Sequence, residues 1–366
     1  MSQKQSLTFS AINREFTQIL NKRVNEYFKT NNISRVGNTE MVIKTVVMFG
    51  LYFIPYALIL GGIVTGLGWM FVLVLIMSLG LAGIGLSVMH DANHGAYSNK
   101  KWLNTLMGYS LNMVGANAFN WKIQHNVLHH TYTNVHEEDE DISPRGVLRL
   151  SPHSNWKWFH KYQFIYAWFL YGLMTIVWMV FKDFVRIIRY QQNGLARSNN
   201  ANIAKEWLIL IATKVVYVSY IFVIPFLVTS LSGWQILFGI LTMHYIAGFI
   251  LAIIFQPAHV IEGTEYPLPD EHHKLENTWA VHQLHTTTNF GNKSRWFSWY
   301  VGGLNFQIEH HLFPNICHVH YRKIAAIVES TAREYNLPYK SATTFVDALL
   351  GHARLLKQLG TSPARI

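Results

Sequence analysis

Four apolar stretches of about 20 residues constrain this chain more than any other feature of its sequence. They lie at about 45–66, 70–89, 207–230 and 235–255. An α-helix of that length crosses a hydrocarbon core of about 30 Å and satisfies its own backbone polar groups there. The sequence therefore predicts an all-α integral membrane protein with two transmembrane helical hairpins.

The composition supports a membrane location and excludes several other classes of protein. Only 14% of the 366 residues are charged, whereas soluble domains have about 25%. The single cysteine, Cys317, excludes an internal disulfide framework and any cysteine-rich zinc or iron–sulfur site. The net charge is +10, but the basic residues flank apolar segments and form no separate basic module. We therefore expect no nucleic-acid binding.

The basic residues also predict the orientation of the hairpins. The turns at 67–69 and 231–234 contain no Lys or Arg, whereas many basic residues precede the first and third spans. Because positive charge favours the cytoplasmic side, we expect the N-terminus, the middle and the C-terminal part there. Residues 1–44 are polar, without the apolar core of a signal peptide. We predict that they form a cytoplasmic N-terminal segment, and that 45–366 form one membrane domain.

Two further apolar segments are harder to assign to the membrane. Residues 103–119 are interrupted by three asparagines, and residues 162–181 are rich in Trp and Tyr. Aromatic rings favour the boundary between hydrocarbon and headgroups. We therefore predict that both segments lie at the interface. A full crossing by 162–181 would instead place everything after 255 opposite the region 95–160.

Clusters of histidine at the predicted cytoplasmic ends of the spans are the main functional signal. The chain has 19 histidines. The first cluster is His90-Asp91-Ala92-Asn93-His94, whose two imidazoles share one helix face and can reach one metal. One histidine near a membrane is more often a surface residue than a ligand. Several clusters at helical spacing on one side of the membrane instead indicate a metal site.

Three more groups complete this pattern. In His125-Asn126-Val127-Leu128-His129-His130 we expect His125 and His129 to share one centre. His130, rotated by about 100°, would face another. The third cluster is Gln307-Ile308-Glu309-His310-His311, and the single His259 ends the fourth span.

The ligand types narrow the choice of metal. Imidazole ligands without thiolate suit iron, copper, zinc or nickel. One catalytic zinc needs about three protein ligands, so eight clustered candidates indicate two metals. Two redox-active irons can activate O₂. Asp91, Asn93 and Glu309 stand beside candidate ligands and are predicted to fix the orientation of the imidazoles.

The order of spans and histidine clusters resembles the membrane fatty acid desaturase family, from about residue 45 to the end. Gln307 stands where a first histidine of the third cluster would be, in Gln-Ile-Glu-His-His-Leu-Phe-Pro. This resembles the front-end subgroup, which inserts a double bond between an existing one and the carboxyl end. The segment 255–260 is similar to the family segment that supplies a further ligand after the fourth span.

The resemblance implies the chemistry of the site. It implies two iron ions (Fe²⁺/Fe³⁺), O₂ as co-substrate and a fatty acyl substrate, carried as acyl-CoA or acyl-lipid. Gln307 is expected close to the metals, and an apolar tunnel is expected among aromatics such as Phe119, Trp121 and Trp296. The implied ligands are His90, His94, His125, His129, His130, His259, His310 and His311.

Two departures from the family pattern affect the predicted partners. Related enzymes often carry a fused cytochrome b5 domain with a His-Pro-Gly-Gly motif, which this sequence does not contain. We therefore expect a separate electron donor, of ferredoxin or cytochrome b5 type with its reductase, and a bacterial inner membrane with the active site on the cytoplasmic side. His282 and His285 form an additional box-like motif and are weaker candidate ligands.

Several alternatives remain open at the level of the sequence. The acidic run 137–141 is either a solvated loop or a docking point for a basic electron donor. The same scaffold supports hydroxylation, in which hydroxyl rebound replaces the second hydrogen removal. A metal transporter would need histidines or acids within the spans, and His244 is the one clear example.

Overall fold

A computed structural model of the chain describes residues 7–142 and 146–361. Its contacts divide the chain into two compact units. The histidine unit comprises Met1–Val36, Gln124–Ala167 and Ile254–Ile366. The membrane unit comprises Gly37–Ile123 and Trp168–Ile253. The predicted division into an N-terminal segment, 1–44, and one membrane domain, 45–366, stays a prediction.

Four helices in the described residues are long and apolar enough to cross a membrane, which confirms the predicted all-α membrane fold. They are Thr39–Leu60, Leu67–Asn93, Ile203–Val228 and Gly233–His259. The first helix begins at Thr39 rather than at about residue 45 because Asn38 caps it. The Asn38 side chain accepts a hydrogen bond from the backbone N–H of Glu40 at 2.9 Å, which satisfies a donor left free at a helix start.

The first two spans pack closely because glycine lies at their contact. A Cβ atom on Gly80 would come within 2.6 Å of the backbone nitrogen of Tyr52. A Cβ atom on Gly83 would similarly collide with the Met48 side chain. Small residues of this kind let membrane helices approach each other, where there is little hydrophobic driving force between helices.

Short π-helical turns interrupt several helices. Within the second span, Ile84–Val88 is π-helical between Leu67–Gly83 and Met89–Asn93. Within the third, Ser219–Val223 separates Ile203–Val218 from Ile224–Val228. A π turn inserts one residue and rotates all that follows it.

The two segments predicted at the interface are built from short helices. Residues 103–119 fall in Lys101–Gly108, Ser110–Met113 and the start of Ala118–Trp121. Residues 162–181 belong to a pair, Trp158–Gly172 and Met174–Gln192, bent by 54°. That bend is the geometry of a broken span or a re-entrant loop. The predicted interfacial placement of this segment stays a prediction.

A buried ion pair fastens the bent segment within the membrane unit. Lys214 donates to Asp183 Oδ2 at 2.9 Å and to the carbonyl of Gly115 at 2.7 Å. It also donates to the carbonyls of Trp178 and Met179, in the π turn Trp178–Lys182. Lys214 therefore meets a polar partner, one of the two arrangements expected for a lysine in an apolar span.

Three more helices complete the membrane unit. The helical segments that flank and follow the π turn Trp178–Lys182 are Met174–Val177, Asp183–Gln192 and Leu195–Ser198. The side-chain amide of Asn120 donates to the carbonyl of Asp183 at 2.8 Å. The ion pair is thus linked to the helix that directly precedes the second histidine cluster.

The histidine unit is built on an amphipathic helix near the N-terminus. Helix Arg14–Thr30 buries one residue per turn, namely Phe16, Leu20, Val24 and Phe28. This apolar stripe packs in one core with Ile324, Val328 and Ala332 of helix Tyr321–Glu334. Spacing of about four residues places these side chains on one helix face.

The remaining elements of the histidine unit are short. Two parallel strand pairs join distant segments, Thr8–Phe9 with Lys274–Leu275 and Asn289–Phe290 with Ser341–Ala342. Their registers pair Thr8 with Lys274 and Asn289 with Ser341. The other elements are His130–Tyr132, the 3₁₀ turns Trp158–Tyr162 and His318–His320, Gln163–Gly172 at the border with the membrane unit, Trp279–Thr286, Arg295–Tyr300, Gln307–Leu312 and Phe345–Thr361.

Breaking the buried ion pair should destabilise the protein. In Lys214→Met the carboxylate of Asp183, whose side chain is 2% exposed, stays buried without its cation, at an expected cost of about 3 kcal/mol. We expect a lower midpoint of thermal unfolding in detergent, followed by size-exclusion chromatography. The midpoint should fall less in the double variant Lys214→Met/Asp183→Asn, because no unpaired charge stays buried there. Lys22→Met, which removes an exposed pair, is the control, and equal midpoints for Lys214→Met and the parent would contradict the prediction.

Candidate metal centre

The second histidine cluster lies on and just after a π-helical turn, which covers Lys122–His129. His125 is close to both of the other histidines of the cluster. Its Nε2 atom is 3.3 Å from that of His130, and its candidate ligand atom lies within 4.8 Å of those of His129 and Asp141. The expected sharing of one centre by His125 and His129 stays a prediction, and His130 is an additional neighbour of His125.

His129 also joins two histidines from other parts of the chain. Its candidate ligand atom and those of His259 and His311 all lie within 4.8 Å of one another. All three side chains are fully buried. His259 is the last residue of helix Gly233–His259, and His311 lies in helix Gln307–Leu312. The fourth span and two of the histidine clusters thus supply one group of three imidazoles.

The Nδ1 atom of each of these imidazoles faces an oxygen atom. Such a contact holds a proton on Nδ1 and leaves the Nε2 lone pair available to a metal. Within the described residues, the Nε2 atoms of His129 and His259 are buried and have no hydrogen-bond partner. The three contacts are His129 with Asp139 Oδ2 at 2.9 Å, His311 with Gln283 Oε1 at 2.9 Å, and His259 with the Thr286 carbonyl at 3.4 Å.

A second group of imidazoles lies beside the first. The Nε2 atom of His130 is 3.0 Å from that of His310 and 3.3 Å from that of His125. The outer Nδ1 atoms again face oxygen, with His310 next to the hydroxyl of Tyr321 at 3.2 Å and His125 next to Asp141 at 3.4 Å. The candidate ligand atom of His311 lies within 4.8 Å of those of His130 and His310. The two groups of imidazoles are therefore next to each other.

The acidic run supplies the carboxylates of this site. Asp139 is fully buried, and its Oδ2 atom also accepts from the backbone N–H of Asn134 at 3.0 Å. Burial alone would lower the pKa of His129, but the charge and hydrogen bond of Asp139 raise it overall. Of the five acidic residues, only Glu137 is exposed. A solvated loop does not describe Asp139, and its contact with His129 was missed from the sequence. Docking of an electron donor at this run stays a prediction.

The residues predicted to orient the imidazoles have mixed roles. Asp91 does lie beside a candidate ligand, with its Oδ1 atom 3.7 Å from His90 Nδ1. Asn93 contacts the carbonyl of Gly108 at 3.4 Å. Glu309 is buried between Asn289 and Tyr339, which both donate to it at 2.9 Å, and burial raises its pKa to about 7. In the described structure, the hydrogen-bond partners of the Glu309 carboxylate are thus an amide and a phenol, and none of them is an imidazole.

The two weaker candidate ligands, His282 and His285, contact other groups, whereas Gln307 lies next to a candidate ligand. His282 Nε2 lies 2.8 Å from the carbonyl of Thr133, and His285 Nδ1 lies 2.6 Å from Glu265. Burial lowers the pKa of His282 to about 4. Neither belongs to a ligand group in the described part of the chain. Gln307 is buried and close enough to His259 to interact with it.

The first cluster lies in the membrane unit, at the end of the second span. The ring centres of His90 and His94 are 4.8 Å apart, as expected for neighbours on one helix face. Both rings pack against Trp121, at 5.5 and 5.6 Å. Of the other aromatics predicted to line a tunnel, Phe119 is half-buried. Trp296 is 86% exposed, so its predicted place in a tunnel is wrong.

The arrangement fits a metal ion. The inner nitrogens of the imidazoles lie close together in the interior. Their outer Nδ1 atoms contact carboxylate, amide or carbonyl oxygens. Outer partners of this kind are typical of histidine metal sites. An all-imidazole inner set suits iron, copper, zinc or nickel. These histidines can hold a metal, and a redox metal among them can support oxidation chemistry.

Comparisons with known proteins identify the class. The family model for fatty acid desaturases matches residues 67–343. The chain belongs to the fatty acid desaturase family. It is 33% identical to the sn-1 linoleoyl-lipid 6-desaturase of Arthrospira platensis, over 95% of this chain and 93% of that protein. It is 37% identical to the acyl-lipid (8-3)-desaturase of Physcomitrium patens, over 97% of this chain and 74% of that protein.

The family membership confirms the predicted function. The protein is an integral membrane oxidoreductase that desaturates fatty acyl chains. A metal transporter, one of the alternatives from the sequence, is not the function of this family. The resemblance to front-end enzymes is also supported, because front-end types are among the relatives.

Removing the charge of Asp139 should weaken metal binding. In Asp139→Asn the Nδ1 proton of His129 loses its carboxylate, and we expect a metal affinity about 10- to 100-fold lower. Metal content per protein, measured by mass spectrometry after dialysis against graded chelator, checks this. The control is Glu137→Gln, which neutralises the exposed acid of the same run. Equal retention in the two variants would contradict the proposed role of Asp139.

Proposed function

We propose that this chain is a front-end acyl-lipid desaturase with a histidine-ligated di-iron centre. The observation that carries the proposal is the meeting of two adjoining imidazole groups in the interior, with Gln307 beside His259. Names of relatives support the substrate class, because the proteins from Arthrospira platensis and Physcomitrium patens are both acyl-lipid desaturases. The new double bond would lie on the carboxyl side of an existing one.

The ligand set follows the two groups. In this proposal His129, His259 and His311 hold one iron, and His125, His130 and His310 lie around the second. His90 and His94 complete the eight ligands predicted from the sequence.

Irons held at these histidines would supply the O₂ chemistry that removes hydrogen from an unactivated methylene. One hydrogen leaves each of two neighbouring methylenes, and a carbon–carbon double bond forms between them. O₂ accepts four electrons, two from the substrate and two from a donor protein, and leaves as two molecules of water. The oxygen atoms of Asp139 and Gln283 hold the outer protons of His129 and His311. Imidazoles held in this way would keep their inner lone pairs directed at a bound metal.

The electrons would come from a separate protein of ferredoxin or cytochrome b5 type with its reductase. The sequence contains one cysteine and no His-Pro-Gly-Gly motif, so these 366 residues offer neither an iron–sulfur site nor that haem site. We also propose a bacterial inner membrane with the active site on the cytoplasmic side. The placement of Lys and Arg before the first and third spans supports the orientation, and relatives from Arthrospira and Synechocystis support the setting.

The test is the fatty acid profile of a host that expresses the chain with a competent electron donor. The host is fed saturated, monounsaturated and diunsaturated fatty acids, and double bonds are located by mass spectrometry in the acyl-lipid and acyl-CoA pools. We expect a new double bond on the carboxyl side of an existing one, appearing first in the lipid pool. His310→Ala should abolish it, because an inner ligand is lost. His272→Ala, which removes a histidine that is 81% exposed, should leave it unchanged.

Other products would redirect the proposal. A double bond on the methyl side of an existing one would overturn the front-end assignment and leave the desaturase assignment in place. First appearance in acyl-CoA would overturn the acyl-lipid substrate. A hydroxylated product that depends on His310 would favour a hydroxylase, in which hydroxyl rebound replaces the second hydrogen removal.

A further inference from the structure

The short helix Arg295–Tyr300 displays an aromatic ring that the reaction does not use. Trp296 is 86% exposed, the largest fraction among the large hydrophobic residues that the structure describes. A single exposed hydrophobic residue is normal on a protein surface. Trp296 differs from such residues in two ways: its helix is anchored by a cap and by ring contacts, and basic residues lie near it in the chain.

The helix is firmly attached to the histidine unit. Ser294 caps it by accepting a hydrogen bond from the backbone N–H of Phe297 at 3.2 Å. The ring of Phe297 packs against Phe345 with ring centres 4.9 Å apart, and against Phe290 at 6.2 Å. One side of the helix is thus anchored in an aromatic cluster, and Trp296 is held out from the surface.

Positively charged residues lie close to Trp296 along the chain and at the start of its helix. Lys293 and Arg295 are both exposed, and within the described chain neither forms an ion pair. Arg322 donates to the Ser294 carbonyl at 3.2 Å and to Ser298 Oγ at 3.1 Å. Burial and the nearby charge of Arg295 lower the pKa of Arg322. The nearest acid on the adjoining helix, Asp347, accepts the backbone N–H of Thr344 at 3.0 Å.

Exposed aliphatic side chains follow Phe345 along its own helix. Val346 is 62% exposed and Leu350 is 52% exposed, and residues four apart share a helix face. The contact of Phe345 with Phe297 joins the start of this helix to the one that carries Trp296. We call the set Lys293, Arg295, Trp296, Arg322, Val346 and Leu350 the Trp296 patch.

We propose that the Trp296 patch inserts into the anionic headgroup layer of the bilayer. Tryptophan favours this layer, where its ring meets apolar carbon and its N–H meets polar groups. Each Lys or Arg near an anionic membrane surface contributes about 1 kcal/mol of attraction. The chain has four membrane-spanning helices, so a bilayer is already its partner. The proposal is independent of the substrate and regiochemistry proposed above.

The apolar side chains favour a lipid surface over an acidic protein as the occupant. An acidic electron carrier would match the charge of Lys293 and Arg295. It would also have to accommodate a projecting Trp296 and the aliphatic Val346 and Leu350, which are 62% and 52% exposed. A fluid headgroup layer accepts such projections without a matching pocket.

The test measures the depth of a spin label. Trp296→Cys is labelled in the full-length protein, where the other cysteine, Cys317, is buried, and is placed in anionic nanodiscs. We expect collisions with a water-soluble nickel chelate to be reduced at least roughly fivefold relative to a label at Glu271→Cys. Glu271 is the matched control because its side chain is 87% exposed. A second label at Val346→Cys should behave like the first.

Charge reversal separates membrane insertion from other causes of shielding. Adding Lys293→Glu and Arg295→Glu to the labelled Trp296→Cys protein should restore most of the collisions with the nickel chelate. Labels at 296 and 346 as accessible as the label at 271 would overturn the proposal. Shielding that appears only when an acidic redox protein is added would also overturn it, and would assign the patch to protein docking. Size-exclusion profiles and metal content confirm that each labelled protein is folded.

Discussion

The contact of buried imidazoles with oxygen acceptors is the interaction on which the candidate metal centre depends. A histidine has two ring nitrogens, and burial makes an unsatisfied one costly. Asp139, Gln283 and the Thr286 carbonyl take the outer nitrogens of His129, His311 and His259. These acceptors come from separate segments, so the site exists only when the loop after the second cluster and helix Trp279–Thr286 have reached the helices that carry the histidines. The inner nitrogens are then oriented so that they can bind a metal ion.

The spans could be predicted from the sequence because hydropathy is a property of about 20 successive residues. The four predicted stretches are confirmed as four apolar helices, although the first begins at Thr39, where Asn38 caps it. The segment 162–181 could not be assigned in the same way. It belongs to a pair of helices bent by 54°, and the second helix of the pair is held by an ion pair between Asp183 and Lys214, which are 31 residues apart. Local composition does not contain such a contact.

The candidate ligands could be proposed from their spacing, but the full set of contacts between them could not. After the π turn Lys122–His129, His125 lies beside His130 as well as His129, and His129 also lies beside His259 and His311. Asp139 was missed for a related reason. The chain between His129 and Asp139 reverses through left-handed backbone at Asn134 and Glu137, with φ of 60° and 67°. An acidic run suggests a solvated loop until that reversal carries one of its members inward. Trp296 shows the opposite error, since an aromatic residue in a sequence does not reveal which way it points.

Histidines that bind a metal do not by themselves select the carbon atoms that are desaturated. Two relatives that cover nearly the whole of this chain are named for different positions, a 6-desaturase and an (8-3)-desaturase, at 33% and 37% identity. Imidazoles bind the metal in the same way whichever methylene lies beside it, so the position of the double bond must depend on where the acyl chain and its headgroup are held. A substrate embedded in a membrane is positioned by its headgroup as well as by its hydrocarbon chain, so residues outside the ligand set must account for the difference in position between such relatives.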